Sequence, residues 1–411
     1  MKTLKQLQVV EFAQGIAGPL AGVRLADLGA SVIKIESTDG DWMREAWPAL
    51  PDSDESAAFF ELNRGKRSLQ LGDHLETAAA VVKKLLASAD ILIVDQRDDD
   101  TMDRLGLANI VRHGCPDNPG LIVIDISVWG PNGPMAGLQG SELTGQAMAG
   151  YTRYLGQAGQ PARRLGADVG SVGTGIFAVQ AALAALFWRD KGGRGQTVSL
   201  SVLNSLLSMK SIHLAAQSDP DAYAGPRIGG PFDPIEQGWK TADRPIFFAF
   251  GGSVGATGRA GWEQFVAEMG MDEMLDDPRF DKRGKNSTGH GSDAVRLRGE
   301  YEKHFATRNS NELVSVMHHY RANASVYATT SEALQHKQTL ALDIVRPVAN
   351  GADAVEIRAF PGKFSDLPTP MSGNAPALGE HTQEILQELG LAAAQIEAPI
   401  ASVPGSKVNA P

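Results

Sequence analysis

One aspartate stands directly before a long apolar stretch of the chain. Asp168 is followed by Gly170, Gly173 and Gly175, three glycines that would let another backbone or a ligand approach closely. Aspartate is a preferred helix N-cap residue, and the local sequence alone favours that role. A carboxylate at a helix N-terminus is also stabilised in its charged form, which is the form that attacks a carbonyl carbon. The residues around Asp168 therefore fit a helix cap and a nucleophile alike.

Four cations form a second candidate group. Lys66 and Arg67 are adjacent, and Arg97 and Arg104 follow farther along the chain. In an acidic protein they could form a local phosphate-binding patch, because Arg presents a fork of donors and Lys a compact charge. An ordinary solvated surface carries charges of the same spacing. The spacing alone favours the surface.

Three glycines follow the first apolar run of the chain. Gly15, Gly18 and Gly22 precede an acid, Glu36, that ends the second apolar run. A dinucleotide-binding turn has such an order, but here the spacing is not G-x-G-x-x-G, and Pro19 removes an N–H from the helix end that would face a pyrophosphate. The glycines are therefore predicted to serve a tight turn with close packing. A nicotinamide enzyme is the weaker alternative.

The composition limits the partners of the protein. The 411 residues include 38 basic and 48 acidic side chains, which give a net charge of -10. Nucleic-acid binding needs clustered positive charge, so no nucleic-acid partner is predicted. The nine histidines are scattered, and the single cysteine, Cys115, excludes a Cys-based zinc site. No metal site is predicted.

The hydropathy pattern bears on location. No apolar stretch of about 18 residues runs without a charge or a glycine, so no membrane span is predicted. The first eight residues lack the apolar run and the cleavage site of a signal peptide. A cytoplasmic protein is the expectation.

Short apolar runs alternate with helical patterns in the first half of the chain. The runs 91–94 and 121–126 are almost continuously apolar, as is typical of strands buried on both faces. This β-α-β rhythm predicts an α/β fold with a mostly parallel sheet covered by helices. The predicted strands are 7–12, 32–35, 68–71, 91–94 and 121–126, and the predicted helices are 19–28 and 75–89.

The second half of the chain differs in pattern. Residues 171–188 are apolar nearly all round, which predicts a fully buried helix, and a strand is predicted at 198–202. The composition shifts to Pro, Gly and Asp at 217–238, which indicates a domain boundary. Beyond it, a smaller α+β unit is predicted, with a strand at 246–250 and helices at 262–269 and 312–320. A last helix is expected at 381–389, before a weakly ordered tail after residue 391.

Eight segments, spread over the chain from about Leu4 to Gly390, occur in the order that one enzyme family has. Together they resemble the family III CoA-transferases, which have the α-methylacyl-CoA racemases as close relatives. No single segment is diagnostic, but the ordered series is specific. The segments are Ala17–Pro19, Leu28–Glu36, Asn63–Ser68, Asp103–Gly106, Trp129–Pro134, Ala167–Asp168, Gly193–Gln196 and Leu378–Thr382.

The resemblance assigns roles to individual residues. It implies that Asp168 is the nucleophile, that Glu142 keeps a carboxylate beside the thioester, and that Gly229 and Gly230 belong to a short glycine-rich lid. It implies an acyl-CoA and a small carboxylic acid as substrates, with coenzyme A as co-substrate and no tightly bound cofactor. The residues implied to contact CoA are Ile16, Ala17, Lys66, Gln96, Arg97, Arg104 and Gln139.

The resemblance also implies an architecture. Two identical chains would interlock as rings, and a pairing with a homologous partner subunit stays open. In each chain a Rossmann-like large domain, with a parallel sheet formed from both chain ends, would have the small domain inserted. The expected limits are 1–216 and 336–411 for the large domain and 217–335 for the small one.

The implied mechanism passes through an aspartyl anhydride and an aspartyl-CoA thioester on Asp168. Backbone N–H groups near Gly170 are candidate donors to the tetrahedral oxyanions. The racemase relatives use a histidine on the turn that matches residues 140–142, and here Ser141 takes its place, which makes proton exchange the weaker alternative. An inactive subunit of a heteromeric transferase is a further alternative, although retention of Asp168 speaks against it.

Overall fold

The computed structural model describes the chain with gaps. The described residues are 4–50, 54–72, 75–95, 99–152, 161–211, 238–250, 258–277, 280, 298–343, 345–347, 355–357, 362, 364–366 and 373–391. The expected domain boundary at 217–238 and the tail after residue 391 lie almost entirely outside this set. They stay predictions.

Two compact units divide the chain. The first comprises Met1–Ala149, Leu165–Met209 and Leu342–Pro411, and the second comprises Gly150–Arg164 and Lys210–Ala341. The domain limits expected from the sequence, at residues 216 and 335, stay predictions.

Six parallel strands form the sheet of the first unit, in the order β3-β2-β1-β4-β5-β6 across the sheet. Every residue of the fourth strand is buried, as expected for a strand covered on both faces. The predicted α/β class with a parallel sheet is confirmed. The strands are β1 (Gln8–Phe12), β2 (Ser31–Glu36), β3 (Arg67–Gln70), β4 (Ile91–Val94), β5 (Ile122–Ser127) and β6 (Thr197–Ser201).

Helices connect these strands and cover both faces of the sheet. The first helix begins two residues before Pro19, which lies within the first turn, where its missing N–H has no helical partner to lose. The helices of the first unit are α1 (Ala17–Asp27), α2 (Ala57–Asn63), α3 (Leu75–Ser88), α4 (Asp99–Arg104), α5 (Leu107–His113), α6 (Glu142–Met148), α7 (Val169–Asp190) and α8 (Val202–Met209), and 3-10 helices occur at Leu4–Gln6 and Trp42–Glu45.

The described part of the second unit is a small α+β unit. Strand β7 (Ile246–Ala249) pairs antiparallel with β8 (Asn323–Val326). Rings from strands and helices form its core, where Trp262 Nε1 donates a hydrogen bond to the Tyr301 hydroxyl at 2.8 Å. The helices of this unit are α9 (Gly258–Glu268), α10 (Glu273–Asp276), α11 (Arg298–Phe305), α12 (Ser310–His319), α13 (Thr330–Gln335) and α14 (Lys337–Ala341).

The C-terminal part of the first unit adds a helix, α15 (Thr382–Glu388), beside the sheet edge at β3. His381 N–H donates to the Ser68 carbonyl at 3.0 Å, and Gln70 N–H donates to Thr382 Oγ1 at 3.0 Å. Two strands near this end, β9 (Val345–Pro347) and β10 (Val355–Ile357), pair only with each other. In the described residues the C-terminal segment covers the β3 edge with a helix and adds no strand to the six-stranded sheet, so a sheet built from both chain ends stays a prediction.

Helix α7 packs with one face against α1 and β5. The side chains of this face, such as Ala178 and Ala182, are buried. The opposite face is apolar but exposed, so the expectation of a helix buried all round is wrong for the single chain. By length and composition α7 is apolar enough to cross a membrane, although a core helix of a soluble protein passes the same test. The exposed residues are Val172, Ile176, Leu183, Phe187 and Trp188.

Candidate active site

Asp168 occupies the N-cap position of α7 and is half-buried. Its backbone has φ −81° and ψ 57°, and its side chain makes no capping hydrogen bond to the helix. The local sequence favoured a capping role for this residue. The structure gives that role to a different carboxylate.

Glu142, the first residue of α6, supplies the cap of α7. Its Oε1 accepts the Gly170 N–H at 2.9 Å, and its Oε2 accepts the Ser171 N–H at 2.6 Å and the Ser171 hydroxyl at 2.7 Å. Glu142 therefore satisfies two main-chain donors of the first turn of α7. The Gly170 N–H, expected as an oxyanion donor, is in this structure donated to Glu142.

The same hydrogen bonds set the ionisation of Glu142. Burial raises the pKa of its carboxyl, but hydrogen bonds from Ser171, Gln146 and Gly170 outweigh burial and hold the pKa below its usual range. The side chain is therefore a carboxylate at neutral pH. Asp168, at the N-cap, and Glu142, on the first-turn N–H groups, thus both lie at the N-terminal end of α7.

Ser141 is the N-cap of α6 and forms a capping box with Thr144. The Thr144 N–H donates to Ser141 Oγ at 3.4 Å, and the Ser141 N–H donates to Thr144 Oγ1 at 2.8 Å. The residue that stands where the racemases have a histidine thus orients the helix that carries Glu142.

Gln146 is a site residue that the sequence analysis missed. It is fully buried one turn after Glu142, and its Nε2 donates to Glu142 Oε1 at 2.8 Å and to the Ala167 carbonyl at 3.2 Å. Its Oε1 accepts the Leu165 N–H at 3.1 Å. The i, i+4 spacing of Glu142 and Gln146 on a helix was the available signal.

The turn with Ile16 and Ala17, which the resemblance implied to contact CoA, is held by two carboxylates, a buried one of Asp41 and a half-buried one of Asp95. Asp95 accepts the Gln14 N–H at 2.8 Å and the Gly18 N–H at 3.3 Å. Asp41 accepts the Gly15 N–H at 3.1 Å. Burial raises the pKa of Asp95 to about 7, against the opposing hydrogen bond from Gln14. These carboxylates fix the backbone on both sides of Ile16 and Ala17.

Lys66 lies inside the protein and not on its surface. Its Nζ is 2.8 Å from a Glu11 carboxylate oxygen and donates to the Pro19 carbonyl and the Asn63 side-chain oxygen, both at 2.9 Å. Burial lowers its pKa to about 8, although Glu11 opposes this. The interpretation of Lys66 as a surface cation is therefore wrong, because its ammonium is enclosed beneath α1. A CoA contact through Lys66 stays a prediction.

A second buried lysine extends this cluster. Lys34 Nζ lies 3.1 Å from Glu11 Oε1 and 2.9 Å from Asp41 Oδ2, and it donates to the Ala13 carbonyl at 2.7 Å. Burial opposes its charge, but the carboxylates of Glu11 and Asp41 outweigh burial and raise the pKa of Lys34. The ion cluster thus continues to Asp41, which holds the turn before α1.

Two other cations of the candidate group pair with carboxylates and lie on different elements. Arg104 is exposed and pairs with Asp100 Oδ2 at 3.0 Å, and Arg67 pairs with Glu384 and Glu388 on α15. The residues Gln96, Arg97, Gly229 and Gly230 lie outside the described residues.

Gln139 is exposed and lies near the start of α6, where its carbonyl accepts the Trp129 Nε1–H at 3.2 Å. The start of α1 approaches α7 farther along, since a Cβ on Gly175 would lie 2.8 Å from the Ala17 carbonyl oxygen. Gly175 is about two helical turns from Asp168, a rise of roughly 10 Å. The helix thus links the Ile16–Ala17 turn to the candidate nucleophile.

A cavity of about 650 Å³ lies elsewhere in the first unit. Of the expected site residues that the structure describes, only Lys66 lines it, beside Arg44, Glu55, Phe59 and residues 374–378, 380 and 381. Asp168 and Glu142 are not part of its wall.

Comparison with known proteins matches the chain to one family. The profile of CoA-transferase family III matches residues 4–382. A succinyl-CoA–D-citramalate CoA-transferase of Chloroflexus aurantiacus is 27% identical, over 94% of this chain and 94% of that protein. A formyl-CoA:oxalate CoA-transferase of Streptomyces avermitilis is 27% identical, over 95% of this chain and 96% of that protein.

A solved structure of a CaiB/BaiF family protein from Brucella suis superposes with a TM-score of 0.78 and 26% identity. The match covers 94% of this chain and 99% of that one. With a family profile that spans nearly the whole chain, these matches show that the protein belongs to CoA-transferase family III.

Proposed function

We propose that this CoA-transferase moves CoA from an acyl-CoA to a carboxylic acid through Asp168 as nucleophile. The observation that carries the proposal is the N-terminal end of α7, where Glu142 makes the capping hydrogen bonds and the Asp168 side chain makes none. A carboxylate tied to helix N–H groups is stabilised and is a poorer nucleophile. Because Glu142 takes these donors, the Asp168 carboxylate at this helix end is not used as the helix cap.

The chemistry exchanges one thioester for another. An Asp168 oxygen attacks the thioester carbonyl, and the C–S bond breaks. CoA leaves as thiolate, and a mixed anhydride between Asp168 and the donor acid remains. The thiolate attacks the aspartyl carbonyl, which releases the donor acid and leaves an aspartyl-CoA thioester. The acceptor carboxylate then attacks this thioester, the C–S bond breaks, and CoA thiolate leaves as a second mixed anhydride forms. The returning thiolate attacks the acceptor acyl carbon, which yields the new acyl-CoA and restores Asp168.

The binding of CoA is assigned to the residues that the resemblance implied. The coenzyme A part of the substrate would contact the Ile16–Ala17 turn and the side chains of Arg104, Gln139, Gln96 and Arg97. Gly229 and Gly230 would close over the anhydride and exclude water. Lys66 would act through the turn, because its ammonium bonds the Pro19 carbonyl in α1.

A second copy of the chain is the proposed cover of the exposed face of α7. Its large apolar side chains include Phe187 and Trp188, which are 60% and 61% exposed. A contiguous apolar face of this kind marks an interaction site. We propose the interlocked homodimer, with a homologous partner chain as the variant. The cytoplasmic location stays a prediction.

Trapping with hydroxylamine tests the nucleophile. Wild-type protein is incubated with a panel of acyl-CoA donors, which includes succinyl-CoA and formyl-CoA because the names of the two relatives contain them. Hydroxylamine is then added to convert an aspartyl thioester to a hydroxamate. Peptide mass spectrometry is expected to locate the hydroxamate at residue 168. Asp168→Ala should lose both the hydroxamate and at least about 10³-fold in transfer rate.

Asp190→Ala, at the exposed opposite end of α7, is the matched control and should keep both signals. Undiminished CoA transfer by Asp168→Ala would overturn the proposal. Deuterium uptake at the α-carbon of an enantiopure 2-methylacyl-CoA, without CoA transfer, would instead favour the racemase alternative.

A further inference from the structure

The side-chain amide of Gln146 uses both of its N–H donors and its carbonyl oxygen close to Asp168. A primary amide has two N–H donors and one carbonyl acceptor. The donors go to Glu142 Oε1 and to the Ala167 carbonyl, and the acceptor takes the Leu165 N–H. The side chain is fully buried, so water does not compete for these bonds.

We propose that Gln146 is a positioning residue for Asp168, a role that rests on the proposed function. Gln146 and Glu142 lie one turn apart on α6 and hold the chain on the two sides of the nucleophile. Gln146 binds residues 165 and 167 before it, and Glu142 binds residues 170 and 171 after it. Helix α6 thus acts as a two-residue clamp, defined by Glu142 and Gln146.

The segment that precedes Asp168 depends on this clamp. Residues 161–168 are in neither helix nor strand, so no regular ladder fixes their backbone. Gln146 bonds alternate residues of the segment, Leu165 through N–H and Ala167 through C=O. A shift of either bond moves Asp168 directly, because Ala167 is its neighbour in the chain.

The following side of the nucleophile depends on the orientation of Glu142. Its two oxygens address separate donors, Gly170 N–H and Ser171 N–H, so rotation of the carboxylate would weaken both bonds. The Gln146 amide bonds the same Oε1 that receives Gly170. It therefore holds the carboxylate in the plane that both helix donors require.

The test compares two amides that make the same kinds of bond. Gln146→Met keeps the side-chain length and removes all three bonds. Asn118→Leu is the matched control, because Asn118 Nδ2 donates to the Leu86 and Ala89 carbonyls at 2.8 Å and 2.7 Å and its Oδ1 accepts the Gly120 N–H at 3.2 Å. Both variants should lose stability to a similar extent. The two amides belong to different regions of the first unit.

Transfer kinetics separate a positioning role from a structural one. Gln146→Met should lower kcat by roughly 10- to 100-fold, as misplacement of a reacting group does, with the KM for the acyl-CoA within about threefold of wild type. Asn118→Leu should keep the wild-type kcat. Equal kcat values for Gln146→Met and wild type, or equal losses in the two variants, would overturn the proposal.

A second variant decides the case if Gln146→Met does not fold. Gln146→Glu keeps the acceptor for Leu165 N–H but sets a carboxylate against Glu142, and a proton shared by the two restores a donor. The kcat of this variant relative to wild type should rise several-fold between about pH 8 and about pH 6. A pH-independent ratio would contradict the clamp. Loss of transfer in Asp168→Ala is scored separately and reports only on the proposed function.

Discussion

Two carboxylates meet at the N-terminal end of α7 and make different contacts there. Glu142 accepts the hydrogen bonds of the first turn, whereas Asp168 occupies the N-cap position without a capping bond. The ability to cap a helix and the ability to attack a carbonyl compete for the same oxygen lone pairs. If Asp168 is the nucleophile, as proposed, Glu142 performs the capping task and leaves the attack to Asp168.

The first prediction concerns Glu142→Gln. The amide cannot accept from both Gly170 and Ser171, so the variant should lose about 1–3 kcal/mol of unfolding free energy near neutral pH. The pKa of Glu142 is lower in the folded protein than in the unfolded chain, so its stabilisation is complete above the unfolded pKa and is lost as the pH falls through the folded value. Urea unfolding at about pH 7 and about pH 3.5 should therefore show the deficit shrinking at the lower pH. An equal deficit at both pH values would contradict this account.

The second prediction concerns Lys66→Met. Removal of this ammonium leaves Glu11 with one buried cation fewer, and breaking a buried pair costs about 3–5 kcal/mol. Lys83→Met is the control, because Lys83 pairs with Asp117 at 3.2 Å while 74% exposed, and exposed pairs contribute less than about 1 kcal/mol. Urea unfolding of both variants measures the difference. Similar losses would show that the enclosure of Lys66 is not important for stability.

Single residues were the hardest feature to predict from the sequence. Asp168 could be placed before a helix, but the cap of that helix is Glu142, which stands 28 residues before the Gly170 N–H that it accepts and reaches it only after folding. Lys66 was interpreted as a surface cation because the spacing of the four cations alone favours ordinary surface charge. The groups that enclose it, Glu11 and the Pro19 carbonyl, come from β1 and α1. Local sequence carries no information about such contacts.

Helices α1 and α7 pack at unusually close range around one glycine. A Cβ on Gly175 would lie 2.8 Å from the Ala17 carbonyl oxygen and 3.0 Å from Leu20 Cβ. Only a residue without a side chain fits this contact. The contact joins the helix of Asp168 to the helix that begins at the expected CoA-binding turn.

The third prediction concerns Gly175→Ala. The added methyl should push α1 from α7 and cost about 1–3 kcal/mol, more than the helix propensity that alanine adds. Gly299→Ala in α11 is the control, because a Cβ there meets no atom within 4 Å. That variant should be neutral or up to about 1 kcal/mol more stable. Thermal unfolding followed by circular dichroism distinguishes them, and a stabilised Gly175→Ala would contradict the close contact.

The regular elements were predictable because their patterns are strong. Strand β4 matches its expected limits at both ends, and α7 extends only two residues beyond its expected limits at each end. Strands buried on both faces have continuous apolar runs that few other structures share. The extent of burial of α7 was not predictable. Because all faces of this helix are apolar, its sequence does not show which face packs against the rest of the same chain.

At the scale of the whole molecule, the exposed apolar face of α7 is where a second chain is proposed. Interlocked rings differ from docked subunits in one physical respect. Docked subunits separate on dilution by mass action, whereas interlocked chains separate only if one of them unfolds. Dilution can therefore tell the two assemblies apart.

The fourth prediction uses this difference. Mass photometry of the protein diluted to nanomolar concentration should show dimers that persist for hours. Phe187→Glu should lower the thermal midpoint of the dimer without producing folded monomers, and Leu340→Glu, at a similarly exposed residue (57%) of α14, should have a smaller effect. Dimers that dissociate on dilution would exclude interlocking, and monomers at all concentrations would exclude the dimer.

The cover of the β3 edge by His381 and Thr382 has a consequence for synthesis of the chain. All six strands of the sheet lie within residues 8–201, so they leave the ribosome about 180 residues before His381. At roughly 5–20 residues per second, the nascent sheet waits about ten to forty seconds with the Ser68 carbonyl and the Gln70 N–H open to other chains. An uncovered strand edge is a template for pairing with a foreign strand. During that interval, protection of the β3 edge depends on the ribosome and on chaperones. Once residues 381 and 382 at the start of α15 have been made, they cover the edge.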